Sequence, residues 1–463
     1  MADNGSLASI FKAYDVRGIV PTELDPIKSF AIGAGFARFS RNAEGASRVI
    51  VAHDMRPSGE ELAASFGAGI ESEGSTVVAV GLASTDLLYF VSGKLRAPGA
   101  MLTASHNPPE YNGIKFCLSG AKPVASDSGL GDIRSDAEEV LTGLGDHVSA
   151  SSASPDGRDW IAEFANHVRG FIDLEGLVAL KVVADAANGM GGLIAPAVFS
   201  GLPCSLDLMY GELDGTFPNH PANPIDTENL KDLRQRIIDT GADVGLAFDG
   251  DADRVFLVDE KGAPLSGSTT TAIVAKSMLE KHPHETILYN LICSKSVPEV
   301  IAECGGTAVR TRVGHSFIKA EMARTGALFA GEHSGHYYFR DNYGADSGII
   351  AAVVVLEALS QAKVPLSELR QPFERYADSG EVNTEVADPR ATIEVVADHY
   401  ANAGASTDRL DGLTVDFGDW WFNLRPSNTE PLLRLNVEAR DTESCTARVD
   451  EVLALVRRVD PAD

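Results

Sequence analysis

Short β-branched runs recur along this chain, and each ends in a polar or glycine-bearing loop. Arg48-Val49-Ile50-Val51-Ala52-His53 runs into Asp54, and Leu180-Lys181-Val182-Val183-Ala184-Asp185 runs into Ala186-Ala187-Asn188-Gly189. Asp243-Val244-Gly245-Leu246-Ala247-Phe248 leads to Asp249, and Thr286-Ile287-Leu288-Tyr289-Asn290-Leu291-Ile292 leads to Cys293-Ser294. Near-continuous apolar strands of this kind suit a parallel sheet buried on both faces. Helix-patterned segments lie between them, at Glu60 to Glu71, Asp159 to Ile172 and Lys231 to Ile238. The alternation predicts an α/β architecture. It returns in each third of the chain, which points to related modules.

At 463 residues the chain exceeds one ordinary core, so three or four domains are expected. The small polar stretch Ser149 to Gly157 reads as a linker. A second division falls at the turn Asp259-Glu260-Lys261-Gly262, and a third near Gln371-Pro372. Beyond it the pattern changes. Gly412 to Phe417 and Leu432 to Ala439 alternate as strands, and Thr442 to Val459 reads as a closing amphipathic helix, an α+β terminal unit.

The net charge of −27 argues against nucleic acid as a partner, because binding it needs a basic face. No apolar run reaches the roughly 20 residues of a membrane span, and the first residues lack the basic and apolar regions of a signal peptide. Neither a membrane partner nor export is expected. The five cysteines, at 117, 204, 293, 304 and 445, show no paired spacing. They fit a reducing, cytoplasmic setting rather than a disulfide framework or zinc site.

Four loops carry chemistry. The first, Thr103-Ala104-Ser105-His106-Asn107-Pro108-Pro109-Glu110-Tyr111-Asn112-Gly113-Ile114-Lys115, follows the apolar run Ala100-Met101-Leu102. It gathers a hydroxyl, an imidazole, an amide, a rigid Pro-Pro and a lysine. Packing does not need that mixture, whereas phosphate chemistry does: a serine oxygen can carry a phosphoryl group and nearby donors can hold its charge. A turn or helix cap is the plainer alternative.

The second loop is Asp249-Gly250-Asp251-Ala252-Asp253-Arg254. Three carboxylates at alternate positions after an apolar strand require neutralisation, and a hard divalent cation with oxygen ligands supplies it. A calcium EF-hand is a weak rival, because Arg254 stands where the sharp turn needs glycine and no helix pair flanks the loop.

The third is Gly331-Glu332-His333-Ser334-Gly335-His336, with acceptors and donors suited to sugar hydroxyls but equally at home in a polar turn. The fourth is Arg425-Pro426-Ser427-Asn428-Thr429-Glu430-Pro431, where an arginine, two hydroxyls and an amide could cradle a phosphate or form a cap. Tyr14 and Arg17 near the start and His315 in Arg312 to Lys319 are lesser candidates. Trp420-Trp421 reads as packing, and no glycine fingerprint for nucleotides is present.

Together, in this order, the motifs resemble the α-D-phosphohexomutase family, within it the bacterial phosphomannomutase/phosphoglucomutase branch, over essentially the whole chain. The resemblance implies three related mixed-sheet α/β domains and a C-terminal α+β domain around a central cleft. With the boundaries above these are residues 1–152, 153–258, 259–370 and 371–463. It implies that Ser105, carried as phosphoserine, exchanges its phosphoryl group with hexose 1- and 6-phosphates (mannose, with glucose also expected) through a 1,6-bisphosphate that also serves as activator. Asp249, Asp251 and Asp253 would hold Mg²⁺ together with Ser105. Arg254, Lys115, His315 and Arg17 would surround the transferred group. Tyr14, Glu332, Ser334 and His336 would meet the substrate, and Arg425, Ser427, Asn428 and Thr429 its distal phosphate.

Three aspartates, Mg²⁺ and Arg254 sum to about zero charge, and phosphoserine adds about −1.5 to −2, so further cations are required. Arg17, Lys115 and His315 are the candidates. Relatives often carry lysine where Ile292 stands here, and Lys295 is the nearest substitute. Asn428 argues against the phosphoglucosamine branch. A monomer or a dimer is expected. Two alternatives are a metal-dependent phosphohydrolase using an aspartate of the 249–253 loop, and a non-catalytic sugar-phosphate-binding protein.

Overall fold

The computed structural model describes residues 6–145, 148, 150–151, 153, 157–401, 404–426 and 432–459. They form four sheets in succession. In the first, the order is Val16–Ile19, Tyr111–Leu118, Gly99–Leu102, Arg48–His53, Thr76–Leu82, with Lys122–Pro123 beside Tyr111–Leu118. Arg48–His53 pairs parallel with Thr76–Leu82 and Gly99–Leu102, whereas Tyr111–Leu118 runs antiparallel to both of its long neighbours. The second sheet, Val255–Asp259, Val244–Phe248, Lys181–Asp185, Ser205–Met209, is parallel except at its first strand. The third repeats the mixture, with Thr307–Thr311, Thr286–Asn290 and Phe329–Gly331 parallel and Tyr337–Phe339 and Ala345–Asp346 antiparallel. The sheets are thus mixed, not purely parallel. A strand buried on both faces has the same apolar pattern in either direction, so pattern alone cannot choose.

The fourth sheet is antiparallel throughout, in the order Ala377–Glu385, Leu432–Ala439, Trp420–Pro426, Leu413–Asp416, Ser406–Asp408. Helix Thr442–Val459 closes it. Trp420 lies in its core, and the Trp421 indole donates to Glu438 at 2.8 Å, so both tryptophans serve packing.

Local signals explain the helix starts. Asp25 accepts from Lys28 N at 2.8 Å and Pro26 opens helix Pro26–Glu44, a cap and first-turn proline in their preferred places. Ser266 and Ser347 cap helices Gly267–Lys281 and Gly348–Ala362 in the same way. The second of these helices is apolar nearly all round. It is buried because the core it joins runs through the first three units, from Ile50 and Phe90 to Phe164, Val244, Ile273 and Val353. The C-terminal unit keeps a separate core around Phe422, Leu435 and Val452. Among the described residues, no single helix is long and apolar enough to cross a membrane.

This layout places the chemistry. The loops at the carboxyl ends of Gly99–Leu102, Val244–Phe248 and Phe329–Gly331 begin at Thr103, Asp249 and Glu332. Ligands of open α/β sheets bind outside those ends.

Candidate active site

Ser105 sits at φ +50° and is buried. Its Oγ donates to Asp249 Oδ2 at 2.8 Å and lies 3.3 Å from His106 Nδ1. The two loops meet backbone to backbone: a Cβ on Gly250 would fall 2.4 Å from the Ser105 carbonyl oxygen, so only glycine permits this approach.

Ligand oxygens of Asp249, Asp251 and Asp253 all lie within 4.8 Å of one another, and all three side chains are buried. Among the described residues, Asp251 Oδ1 and Asp253 Oδ1 have no hydrogen-bond partner. Buried carboxylate oxygens without partners are costly unless a cation takes them, so the donor set fits a hard divalent ion such as Mg²⁺.

The cations expected near this centre converge on it. Lys115 Nζ donates to Asp251 Oδ2 and to Asp253 Oδ2, each at 2.7 Å. Burial works against its charge, but the two carboxylates outweigh burial and hold its pKa well above the ordinary lysine value. Arg254 Nε donates to Asp249 Oδ2 at 2.9 Å, and its Nη2 reaches His106 Nδ1 at 2.5 Å. His106 thus links the serine loop to Arg254. The Arg254 charge and burial push its pKa well below the usual imidazole value, so it stays neutral as an acceptor. Arg17 donates to the Ala104 carbonyl at 2.6 Å, to Asn107 Oδ1, and from Nε to Asp15 at 2.9 Å. It grips the serine loop from the first strand.

Burial drives Asp249 up to about 7, with Arg254 opposing and the neighbouring aspartates reinforcing the rise. Asp251 is held low because Lys115 and the Thr85 hydroxyl, at 2.6 Å, overcome its own desolvation.

His315 opens helix His315–Thr325, with its ring 5.1 Å from that of Tyr14. Burial, Lys319 and Lys115 push it down to about 3, against the pull of Asp346. Gly314, at φ +126°, leaves room for the Tyr14 hydroxyl, which a Cβ there would meet at 2.7 Å.

On the third sheet, Glu332 accepts from Tyr338 Oη at 2.7 Å, Asn290 Nδ2 at 3.3 Å and Gly314 N at 3.3 Å. It is 2% exposed and tightly fixed. Ser334 Oγ lies 3.1 Å from His336 Nδ1, and His336 Nε2 stands 3.7 Å from Asp253 Oδ1, so the sugar loop adjoins the aspartate loop. Arg425, near the end of Trp420–Pro426, donates from Nη2 to Glu381 at 2.6 Å, and its buried Nε has no partner among the described residues. Ser427, Asn428 and Thr429 lie outside the described residues.

Lys295, the nearest lysine to Ile292, is engaged elsewhere. Its ammonium is bound to Asp416 at 2.6 Å and to the Gly418 carbonyl at 2.9 Å in the C-terminal unit. Ile292 is buried beside His333 and Trp421.

Sequence motifs missed several site residues. Arg56 holds the serine loop by its carbonyls, and Thr85 holds Asp251. Lys319 pairs with Asp346 at 2.8 Å, one helical turn beyond His315. Asp54-x-Arg56 after an apolar strand was the only available signal.

Phosphoglucomutase/phosphomannomutase sequence models match the chain in four consecutive pieces. Alpha/beta/alpha domains I, II and III match residues 8–139, 160–262 and 266–376, and the C-terminal domain matches 381–455. The chain belongs to this family. A phosphomannomutase of Salmonella typhimurium is 37% identical over 459 residues, 97% of this chain and 99% of that protein. One from Methanocaldococcus jannaschii is 35% identical over 453 residues, 97% and 98% of the two chains. Among solved structures, a phosphoglucomutase/phosphomannomutase family protein of Burkholderia thailandensis superposes with a TM-score of 0.88 at 30% identity, covering 97% of each chain. An N-acetylphosphoglucosamine mutase of Aspergillus fumigatus, in complex with GlcNAc-6P and magnesium, shares the fold at 13% identity, with a TM-score of 0.62 and 98% and 97% coverage. The α-D-phosphohexomutase expectation and the multi-domain α/β fold are therefore borne out.

Proposed function

We infer that this family member is an intramolecular phosphotransferase that interconverts hexose 1-phosphate and hexose 6-phosphate. Mannose phosphates are its substrates, as the phosphomannomutase relatives indicate, and glucose phosphates are proposed beside them. The observation that carries the reading is the 2.8 Å contact of the Ser105 hydroxyl with the aspartate trio, inside a shell of Lys115, Arg254 and Arg17.

Ser105 carries the phosphoryl group. In the forward half, a sugar hydroxyl oxygen bonds to phosphorus as the Ser105 Oγ–P bond breaks and the hydroxyl proton passes to the Ser105 oxygen, giving a 1,6-bisphosphate. In the second half, the bisphosphate has turned around, the Ser105 oxygen bonds to the other phosphorus as that sugar O–P bond breaks, and the Ser105 proton passes to the sugar oxygen, which frees the product. Phosphoryl transfer depends chiefly on in-line placement and charge neutralisation. Lys115, Arg254 and Arg17 supply fixed positive charge around Ser105. Asp249, Asp251 and Asp253 would hold Mg²⁺, which when bound neutralises charge on the transferring group. Ser334, His336 and Glu332 face the sugar, and Tyr14 and His315 flank it. Arg425, with Ser427, Asn428 and Thr429, anchors the phosphate that does not react, and such a remote anchor orients the reacting end. Hexose 1,6-bisphosphate restores phosphate to Ser105 whenever it is lost. A fold relative, the A. fumigatus mutase in a serine-to-alanine form, has been solved with glucose 1,6-bisphosphate. The four units read as residues 1–152, 153–258, 259–370 and 371–463. The separate core of the last supports its closing over bound sugar. The five unpaired cysteines support a cytoplasmic enzyme.

An aspartyl phosphohydrolase is disfavoured. Asp249 is fully buried and its Oδ2 already accepts from Ser105 and Arg254, which leaves that oxygen poorly placed to attack. Peptide mass spectrometry of freshly purified protein tests the mutase reading. One phosphate on Ser105, and loss of nearly all turnover in Ser105→Ala, are expected. Full activity in that variant would overturn it.

A further inference from the structure

The loop that carries Ser105 is fixed by a side chain outside it. Arg56 follows strand Arg48–His53 and is 2% exposed. Its Nη2 donates to the carbonyls of Ser105 at 2.9 Å and Asn107 at 2.7 Å. Its Nη1 donates to those of Pro108 and Tyr111, both at 2.8 Å. One guanidinium thus holds four carbonyls spread from one end of the loop to the other. Only arginine offers a planar fork able to do so; a lysine ammonium is a single point with three donors.

The loop needs such restraint. Ser105 stands at φ +50°, in a region that is strained for a non-glycine residue and persists only where the surroundings over-determine it. Arg56 bonds the carbonyl of this very residue, and the Gly250 backbone closes on the same carbonyl from the aspartate loop. The Arg56 charge is balanced from below by Asp54, at 3.4 Å, whose Oδ1 also accepts from Arg56 N at 2.9 Å.

Its other side is closed by the second unit. The Phe217 ring lies 5.2 Å from the Arg56 guanidinium carbon, and Gly215 is so close that a Cβ there would fall 2.5 Å from Arg56 Cα. Phe217 is buried at φ +51°. Its turn is tied to the end of strand Lys181–Asp185: Asp214 N donates to the Asn188 carbonyl at 2.9 Å, and Asn219 Nδ2 to Asn188 Oδ1 at 2.8 Å.

We propose that Arg56 is a positioning residue for phosphoryl transfer at Ser105, and that Phe217 of the second unit seals its guanidinium from water, so that two units jointly set the geometry of the serine loop. This rests on the reading of Ser105 as phosphoryl carrier. Arg56 touches neither the Ser105 hydroxyl nor the oxygens of Asp249, Asp251 and Asp253, so it acts through the loop backbone. The effect is large because a reacting atom displaced by about 1 Å loses roughly 100-fold in rate. The Phe217 face contributes because water competing for the guanidinium weakens each of its bonds.

The test uses the full chain, mannose 1-phosphate as substrate and glucose 1,6-bisphosphate as activator. It compares Arg56→Lys, Arg56→Met, Phe217→Ala and Phe217→Leu with wild type for kcat, KM and melting temperature. Arg56→Lys is expected to lower kcat by roughly 30-fold or more with KM changed by less than about 3-fold, and Arg56→Met at least as much. Phe217→Ala is expected to lower kcat several-fold, and Phe217→Leu to restore most of it. A folded Arg56→Lys enzyme with kcat within two-fold of wild type overturns the proposal, and so does a loss that falls on KM alone. If the Arg56 variants do not fold, the Phe217 pair decides, and an unchanged kcat in Phe217→Ala overturns it. Wild type without turnover, or without phosphate on Ser105, would instead remove the mutase reading and this proposal with it. Active wild type with indifferent variants removes this proposal alone.

Discussion

Asp249 Oδ2 accepts from the Ser105 hydroxyl at 2.8 Å and from Arg254 Nε at 2.9 Å, so one carboxylate oxygen ties the serine loop to the aspartate loop. A phosphoryl group on Ser105 replaces that donor with about two negative charges facing three carboxylates. The site is workable only with a cation among them. Chelation with EDTA is therefore expected to abolish mutase turnover and Mg²⁺ to restore it. Asp251→Ala, which removes one ligand of the trio, is expected to weaken Mn²⁺ binding by ~10-fold or more in calorimetry. Undiminished activity after exhaustive chelation would contradict this.

Lys115 occupies an unusual place. Its ammonium is 2.7 Å from both Asp251 and Asp253, the same carboxylates that would hold the metal. It must therefore share them with the ion, and like charges at such range repel by an amount on the order of 4 kcal/mol in a protein-like medium. Lys115→Met is expected to separate two effects. Turnover falls, by roughly 100-fold, because a donor beside the transferred group is gone. Divalent-ion affinity, measured by titration calorimetry, rises or stays level. A variant that lost metal affinity along with turnover would show that Lys115 organises the ligands instead.

Much of this site was legible because its chemistry is concentrated in loops at strand ends. Ser105, Asp249 to Asp253 and Glu332 each follow an apolar run, where a polar side chain at a sheet's carboxyl end stands out. Residues that act from elsewhere left no such mark. Thr85 and Lys319 reach the centre from helices Thr85–Leu95 and His315–Thr325. Tyr338 reads in sequence as an aromatic strand residue, and only the fold shows its hydroxyl bound to Glu332. Lys295, the lysine nearest to Ile292 in sequence, precedes helix Ser296–Glu303, and only the fold shows its ammonium bound to Asp416. The direction of Tyr111–Leu118 was equally hidden, since its buried apolar pattern is common to parallel and antiparallel strands.

Arg425 offers a cleaner separation of binding from chemistry. Its Nη2 is fixed by Glu381 at 2.6 Å while its buried Nε has no partner among the described residues. That arrangement leaves a charged donor for an incoming anion. A charged hydrogen bond contributes about 1.5–3 kcal/mol, so Arg425→Lys is expected to raise KM for mannose 1-phosphate by roughly 10- to 100-fold. The fall in kcat should be smaller if the contact is made equally in ground and transition states. Steady-state kinetics with both hexose 1-phosphates read this directly. A loss confined to kcat would place Arg425 with the reacting group instead.

The acid limb of stability carries a sign that His315 sets. Burial, Lys319 and Lys115 lower its pKa in the fold to about 3, whereas the unfolded chain holds it near 6.5. Above the unfolded value the imidazole is neutral in both states and pH has no effect through it. Between about 6.5 and 3 the unfolded chain binds the proton and the folded one does not, so stability falls as pH falls through that window. Below about 3 the penalty is complete and constant. His315→Asn keeps a polar ring-sized amide but cannot titrate. Its melting temperature is expected to drop less than that of wild type between pH 7 and pH 5, read by calorimetry in matched buffers. The rings of Tyr14 and His315 are 5.1 Å apart, so the variant also loses an edge contact, and a uniform offset at all pH values is expected beside the flatter slope. An identical pH slope in the two proteins would show that His315 binds its proton equally in the folded and unfolded chains, titrating near 6.5 in both.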